Sequence, residues 1–100
     1  MNKEKLRELI DRYSIADAEN DYESNYFWKE SFKILSIDLN ETIEYLDSIS
    51  TGDLFYIKSI FDDLSEHFKS IELIECMERN AKRTGVDCKV DIEYAKMYLS

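Results

Sequence analysis

Apolar residues recur every three or four positions along most of the chain, which places them on one side of an α-helix. The clearest run joins five residues over four turns: Leu54, Ile57, Phe61, Leu64 and Phe68. The same spacing predicts further helices over about 3–18, 24–35, 71–84 and 90–99, and a shorter one that contains Leu46. We therefore expect an all-α fold, a single compact bundle of about five helices in one domain over residues 1–100.

Polar residues at the ends of these stripes predict where the helices begin and end. Asn40, Thr51 and Ser70 are candidate N-caps, because their side chains accept hydrogen bonds from the first free amides of a helix. Gly85 is suited to the left-handed position that often ends a helix. The helices over about 52–69 and 71–84 are separated by a very short connection, so we expect an antiparallel pair.

Composition supports the all-helical prediction, because the chain has no proline and only two glycines. A β-rich chain of this length would need more turn residues. The apolar stripes also predict which side chains are buried. The expected core consists of Leu6, Leu9, Ile10, Tyr13, Ala16, Phe27, Trp28, Phe32, Leu35, Ile43, Leu46, Ile49, Leu54, Ile57, Phe61, Leu64, Phe68, Leu73, Ile74, Met77, Ala81, Ile92, Ala95 and Leu99.

Negative charge is concentrated in the middle of the sequence. Residues 36–78 hold eleven acids and two bases, whereas the flanking segments carry net charges of −2 and +2. Charge of this kind informs about partners and association rates rather than about fold. It is typical of a surface that meets a basic partner, although an acidic surface that only keeps the protein soluble is the simpler alternative.

Few residues offer catalytic chemistry. The only histidine, His67, belongs to no His-x-x-x-Glu or Glu-x-x-His pair, and Cys76 and Cys88 form no Cys-x-x-Cys motif. We expect no enzymatic activity, no metal and no cofactor, and two reduced thiols in a cytoplasmic protein. The basic residues are too few for direct nucleic-acid binding, and no apolar run is long enough for a signal peptide or a membrane span.

The outward sides of the three central helices are the main candidate for function. They would form one acidic surface with interspersed tyrosines if the helices pack side by side. Aromatic side chains anchor protein interfaces, and charges steer and align the partner. The predicted partner-binding residues are Glu44, Tyr45, Asp47, Tyr56, Asp62, Asp63, Glu66, Glu72 and Glu75.

The C-terminal half resembles small helical immunity proteins of bacterial contact-dependent growth inhibition systems. Those proteins share an Ile-x-x-x-Phe-Asp-Asp/Glu-Leu/Ile-x-Glu helix followed at once by a Ser-x-Glu-Leu/Phe-Ile-Glu helix. The matching residues are Ile57, Phe61, Asp62, Asp63, Leu64, Glu66, Ser70, Glu72, Leu73, Ile74 and Glu75. The resemblance implies a cytoplasmic protein that binds and blocks the toxic C-terminal domain of an effector, often a nuclease. The N-terminal half, which includes Trp28, gives no comparable match.

Three other functions remain open at the level of the sequence. The same acidic surface could serve a nucleic-acid mimic or an adaptor that binds another basic protein. A carboxylate-dependent hydrolase would require a concave site with converging acids and a raised carboxyl pKa. A purely structural helical module would require neither.

Overall fold

The structure, a computed structural model, describes residues 1–17 and 19–99 and confirms the all-α prediction. Its elements are α1 (Lys3–Ser14), α2 (Asp21–Leu35), α3 (Leu39–Ser48), α4 (Thr51–Ile57), a 3₁₀ turn (Lys58–Ile60), α5 (Phe61–Phe68), α6 (Ile71–Thr84) and α7 (Lys89–Lys96). Because α4, the 3₁₀ turn and α5 follow one another without a gap, the described residues form six helical segments. This equals the number of helical stretches that the apolar spacing predicts, and the expected bundle of about five helices is one too few.

Side-chain caps fix the starts of most helices, and two predicted caps are wrong by one or two residues. Asp38 caps α3 instead of Asn40, and Ser50 caps α4 instead of Thr51. An N-cap needs extended backbone, which Asp38 and Ser50 have. The predicted cap Ser70 is confirmed, since its hydroxyl accepts from the Leu73 amide at 3.2 Å.

Several helices also begin or end at other residues than the apolar periodicity predicts. Asn20 caps α2, so that helix starts at Asp21 rather than near residue 24. The end of α1 lies at Ser14, and the predicted end at Ala18 falls outside the described residues. Helix α7 stops at Lys96 rather than near Leu99. Gly85 ends α6 at a φ of 77°, which confirms the prediction for that residue.

The predicted helix over about 52–69 is interrupted in its middle. The Ser59 hydroxyl donates to the Tyr56 carbonyl at 2.8 Å, and such bonding to a preceding turn bends helices. At the end of α5, Lys69 adopts a left-handed φ of 47°, which turns the chain into α6. Helices α5 and α6 touch, but α6 packs mainly against α3 and α5 mainly against α7. The predicted neighbours α5 and α6 are therefore in contact, but each packs more extensively against another helix.

One hydrophobic core joins all the helices. Its fully buried residues include Leu6, Phe27, Leu35, Leu46, Leu54, Ile57, Ile60, Phe61, Leu64, Leu73, Met77 and Ala95. Two residues predicted to be buried are exposed, Trp28 at 37% and Leu99 at 36%. Six others are only half-buried: Tyr13, Ala16, Phe32, Ile43, Phe68 and Ala81. Trp28 follows Phe27, which points into the core, so the helical turn carries its indole to the edge of α2. Cys76 and Cys88 are buried free thiols.

Candidate protein interface

Three carboxylates lie close together on α5. Asp62, Asp63 and Glu66, here called the α5 acid cluster, are held outward while Phe61 and Leu64 enter the core. None of the ion pairs among residues 1–17 and 19–99 includes a member of this cluster. No ion pair among the described residues therefore offsets the charge of this cluster.

The negative charges of the α5 acid cluster raise the pKa values of acidic groups beside them. Burial, followed by the negative charges of Asp62 and Glu66, raises the pKa of Asp63. The negative charge of Glu66 likewise raises the pKa of Tyr98, with smaller effects from burial and from Asp62. Ionised carboxylates repel one another here, and positive charge from outside the chain would relieve that repulsion.

A groove of about 970 Å³ runs beside this cluster, between α2 and α5. It is lined by Asn25, Trp28, Lys29, Phe32, Lys33, Asp63, Glu66, His67 and Lys69. The α2 members are spaced three or four residues apart, so one face of α2 forms one wall. The wall from α5 carries the two carboxylates and ends at Lys69, whereas the wall from α2 carries Lys29 and Lys33.

Aromatic rings form the floor of the groove. The His67 ring meets Phe32 edge to face at a centroid distance of 5.6 Å and Phe68 at 4.7 Å. The Trp28 indole nitrogen donates to the Ser59 hydroxyl at 2.9 Å. Since Ser59 lies in the 3₁₀ turn, the bend between α4 and α5 fixes the orientation of this tryptophan.

Tyr56 lies on the other side of the Trp28–Ser59 contact. Its ring meets Tyr13 at 5.7 Å and Phe55 at 5.2 Å, both edge to face. These residues and Ser59 line a smaller hollow of about 330 Å³. Ser59 therefore joins an aromatic surface around Tyr56 to the groove beside the α5 acid cluster.

Asp47 is engaged within the chain. Its carboxylate accepts from the Arg79 guanidinium at 2.8 and 2.7 Å and from the Asn80 amide at 2.6 Å. The Arg79 hydrogen bonds, ahead of the opposing effect of burial, lower the pKa of Asp47 to about 2. This predicted site residue ties α3 to α6, and its charge is already compensated.

The other predicted residues on α3 and α6 have mixed surroundings. Tyr45 is half-buried, and burial, helped by the charge of Asp53, raises its pKa to about 12. Glu72 accepts from the Ser70 hydroxyl at 2.9 Å, which supports the start of α6. Glu44 and Glu75 are exposed. Asp62, Asp63 and Glu66 therefore lie together, and Ser59 and Trp28 connect Tyr56 to the groove beside them. On α3 and α6, Asp47 and Glu72 have side-chain partners within the chain, whereas Glu44 and Glu75 remain exposed.

Sequence reasoning missed the α2 wall of the groove. A pair of parallel stripes, Trp28 with Phe32 and Lys29 with Lys33, each four residues apart, was the available signal. The apolar spacing predicts that Trp28 and Phe32 are buried. Periodicity alone does not show which edge of an apolar helix face is left uncovered by the neighbouring helices.

Neither a metal site nor a membrane-spanning element is found in the described parts of the chain. No three His, Cys, Asp or Glu side chains among residues 1–17 and 19–99 are grouped to hold a metal ion. No helix in the same residues is long and apolar enough to cross a membrane. No protein-family model, curated protein or solved structure matches this sequence.

Proposed function

We propose that this protein is a cytoplasmic immunity protein that binds and neutralises the toxic C-terminal domain of a contact-dependent growth inhibition effector. The observation that carries the proposal is the uncompensated α5 acid cluster beside an aromatic groove. The sequence resemblance over the C-terminal half supports the same function. The partner is a basic protein domain, and a nuclease is the class whose chemistry fits best.

Charge complementarity connects the cluster with a nuclease. An enzyme that binds a phosphate backbone presents lysine and arginine side chains, which an acidic inhibitor can cover. Asp62, Asp63 and Glu66 would lose their mutual repulsion in such a complex. The net charge of −9 would also steer association, since electrostatic attraction raises on-rates toward about 10⁸ M⁻¹s⁻¹ at low salt.

The first test is co-expression with the domain encoded directly upstream of the gene for this protein. We expect that the chain restores growth and co-purifies with that domain. Absence of both rescue and co-purification contradicts the proposal. Binding to a different basic protein, with no binding to the upstream domain, would favour the nucleic-acid-mimic or adaptor alternative.

Two triple charge reversals then locate the interface. One replaces Asp62, Asp63 and Glu66 by Lys, and its matched control replaces Glu44, Glu72 and Glu75 by Lys. Both change the net charge equally, so long-range attraction falls by a similar amount in each. The α5 variant is expected to lose about 100-fold or more in affinity, because local charge contacts are lost as well. Its remaining affinity should depend less on salt.

The control decides whether the α5 acid cluster is special. A smaller loss in the control, with unchanged helical circular dichroism in both variants, supports the cluster as the contact site. Equal losses in the two variants would mean that only overall charge matters. A larger loss in the control would place the interface on α3 and α6 instead.

A further inference from the structure

The groove between α2 and α5 has Lys29 and Lys33 along α2, carboxylates along α5 with Lys69 at its end, and an aromatic floor between them. We propose that it receives an apolar side chain from a segment of the partner protein. That segment carries a basic residue toward Asp63 and Glu66 and an acidic residue toward Lys29. This inference rests on the proposed function and specifies the partner chemistry of that same surface.

The floor of the groove has the properties of an interface anchor. Trp28 is the single tryptophan of the chain and remains 37% exposed. Its hydrogen bond to Ser59 holds the indole in place before any partner arrives, which reduces the entropy lost on binding. Tryptophan is among the residues that most often dominate binding energy, especially at the centre of a patch ringed by polar groups.

The walls are charged but do not neutralise each other. No ion pair within 4 Å among residues 1–17 and 19–99 involves Lys29, Asp63 or Glu66. Lys33, in contrast, pairs with Glu30 on its own helix at 2.9 Å. The groove therefore holds a cation on α2 and two carboxylates on α5 that form no ion pair among the described residues. A segment of complementary polarity satisfies both walls and can enter in only one orientation.

The aromatic anchor is tested by titration calorimetry with the domain encoded directly upstream. Trp28→Ala is expected to weaken binding by about 30-fold or more, the loss typical of a hot-spot residue. Trp28→Phe keeps an aromatic floor and should recover most of the affinity. Tyr22→Ala is the matched control, since Tyr22 is an exposed aromatic residue on the same helix but outside the groove.

The role of Lys29 is tested by the binding affinity of Lys29→Glu. Long-range steering and a direct contact predict opposite changes in that affinity. Lys29→Glu makes the protein more acidic, so steering alone predicts tighter binding to a basic partner. Contact with an acidic partner residue predicts the reverse, and we expect about 10-fold weaker binding. Lys3→Glu changes the net charge equally from an exposed position on α1 and should not weaken binding.

The outcomes separate this inference from the proposed function. A tight complex that is unaffected by Trp28→Ala, or one that Lys29→Glu strengthens as much as Lys3→Glu does, overturns the groove proposal and leaves the immunity function standing. Absence of any complex with the upstream domain overturns both. Losses confined to Trp28→Ala and Lys29→Glu, with the folded signal retained, support the groove as the seat of the partner.

Discussion

Removal of the Asp47 carboxylate tests whether this predicted site residue serves stability rather than binding. Asp47→Ala deletes two hydrogen bonds with Arg79, at 2.8 and 2.7 Å, and one with Asn80, at 2.6 Å. The buried Asn80 amide keeps its hydrogen bonds to the Cys76 carbonyl at 2.9 Å and to the Cys76 sulfur at 3.4 Å, so it is not left unpaired. We expect a folded but less stable protein that still binds the partner with unchanged affinity.

The size of the loss follows from the pKa and the exposure of Asp47. A pKa lowered from 3.8 to about 2 sets an upper limit of about 2 kcal/mol for the stabilisation of the ionised form. The Asp47 side chain is 40% exposed and that of Arg79 is 50% exposed, so water screens much of their attraction. An exposed pair contributes about 0.2–1 kcal/mol, and the bond to the buried amide adds about 1 kcal/mol. We expect a total loss of about 1–2 kcal/mol.

Urea denaturation of the wild type and of Asp47→Ala at several pH values measures this loss. Because the pKa of Asp47 is lower in the folded state, its stabilising effect is complete above the unfolded value of 3.8 and disappears as the pH falls through about 2. The gap in unfolding free energy should therefore be full at neutral pH and shrink in this acid range. Glu44→Ala, an exposed change on the same helix, is the control and should stay within about 0.5 kcal/mol of wild type. A gap no larger than that of the control, or one independent of pH, refutes the reasoning.

Three further predictions concern other parts of the fold. Asp63→Asn should raise the free energy of unfolding at neutral pH, because burial and neighbouring carboxylates raise the pKa of Asp63. The gain should vanish as the pH falls below the pKa of the unfolded state. Lower stability at neutral pH would contradict this prediction. Ser65→Ala removes the buried hydrogen bond to the Ala95 carbonyl and should cost about 1 kcal/mol, with faster amide exchange in α7 as the readout. Gly85→Ala forces a side chain into a left-handed φ of 77° and should cost about 1 kcal/mol in thermal unfolding. Gly52→Ala, in open space in the first turn of α4, should instead stabilise by up to about 1 kcal/mol, and equal signs for the two glycines would be inconsistent with this account.

The helical elements were largely predictable because their signals are local. In the stripe from Leu54 to Phe68, successive apolar residues lie three or four positions apart, and the Ser70 cap bonds an amide three positions away. Both signals can therefore be recognised in the sequence. The interruption at Lys58–Ile60 was not predicted, because it depends on the hydrogen bond of a serine hydroxyl and not on apolar spacing. The choice of Ser50 over Thr51 as a cap was also open, since both residue types can accept the bond.

The candidate interface was predictable only in part. The acids at Asp62, Asp63 and Glu66 share one exposed side of a helix, and helical spacing alone brings them together. Their availability was not visible, because it requires that no cation from another element packs against them. Asp47 and Asp63 are both exposed aspartates, yet only the charge of Asp47 is compensated, by Arg79.

What the sequence determined by itself is the helical class, the inward stripes and the acidity of the central helices, because these depend on spacing along one chain segment. Tertiary structure decided which acids are neutralised and where an aromatic groove opens. Asp47 meets Arg79 across 32 positions, and Trp28 meets Ser59 across 31. Such pairs form only when separate helices pack together, and the packing direction depends on the shape of the whole core rather than on either local pattern.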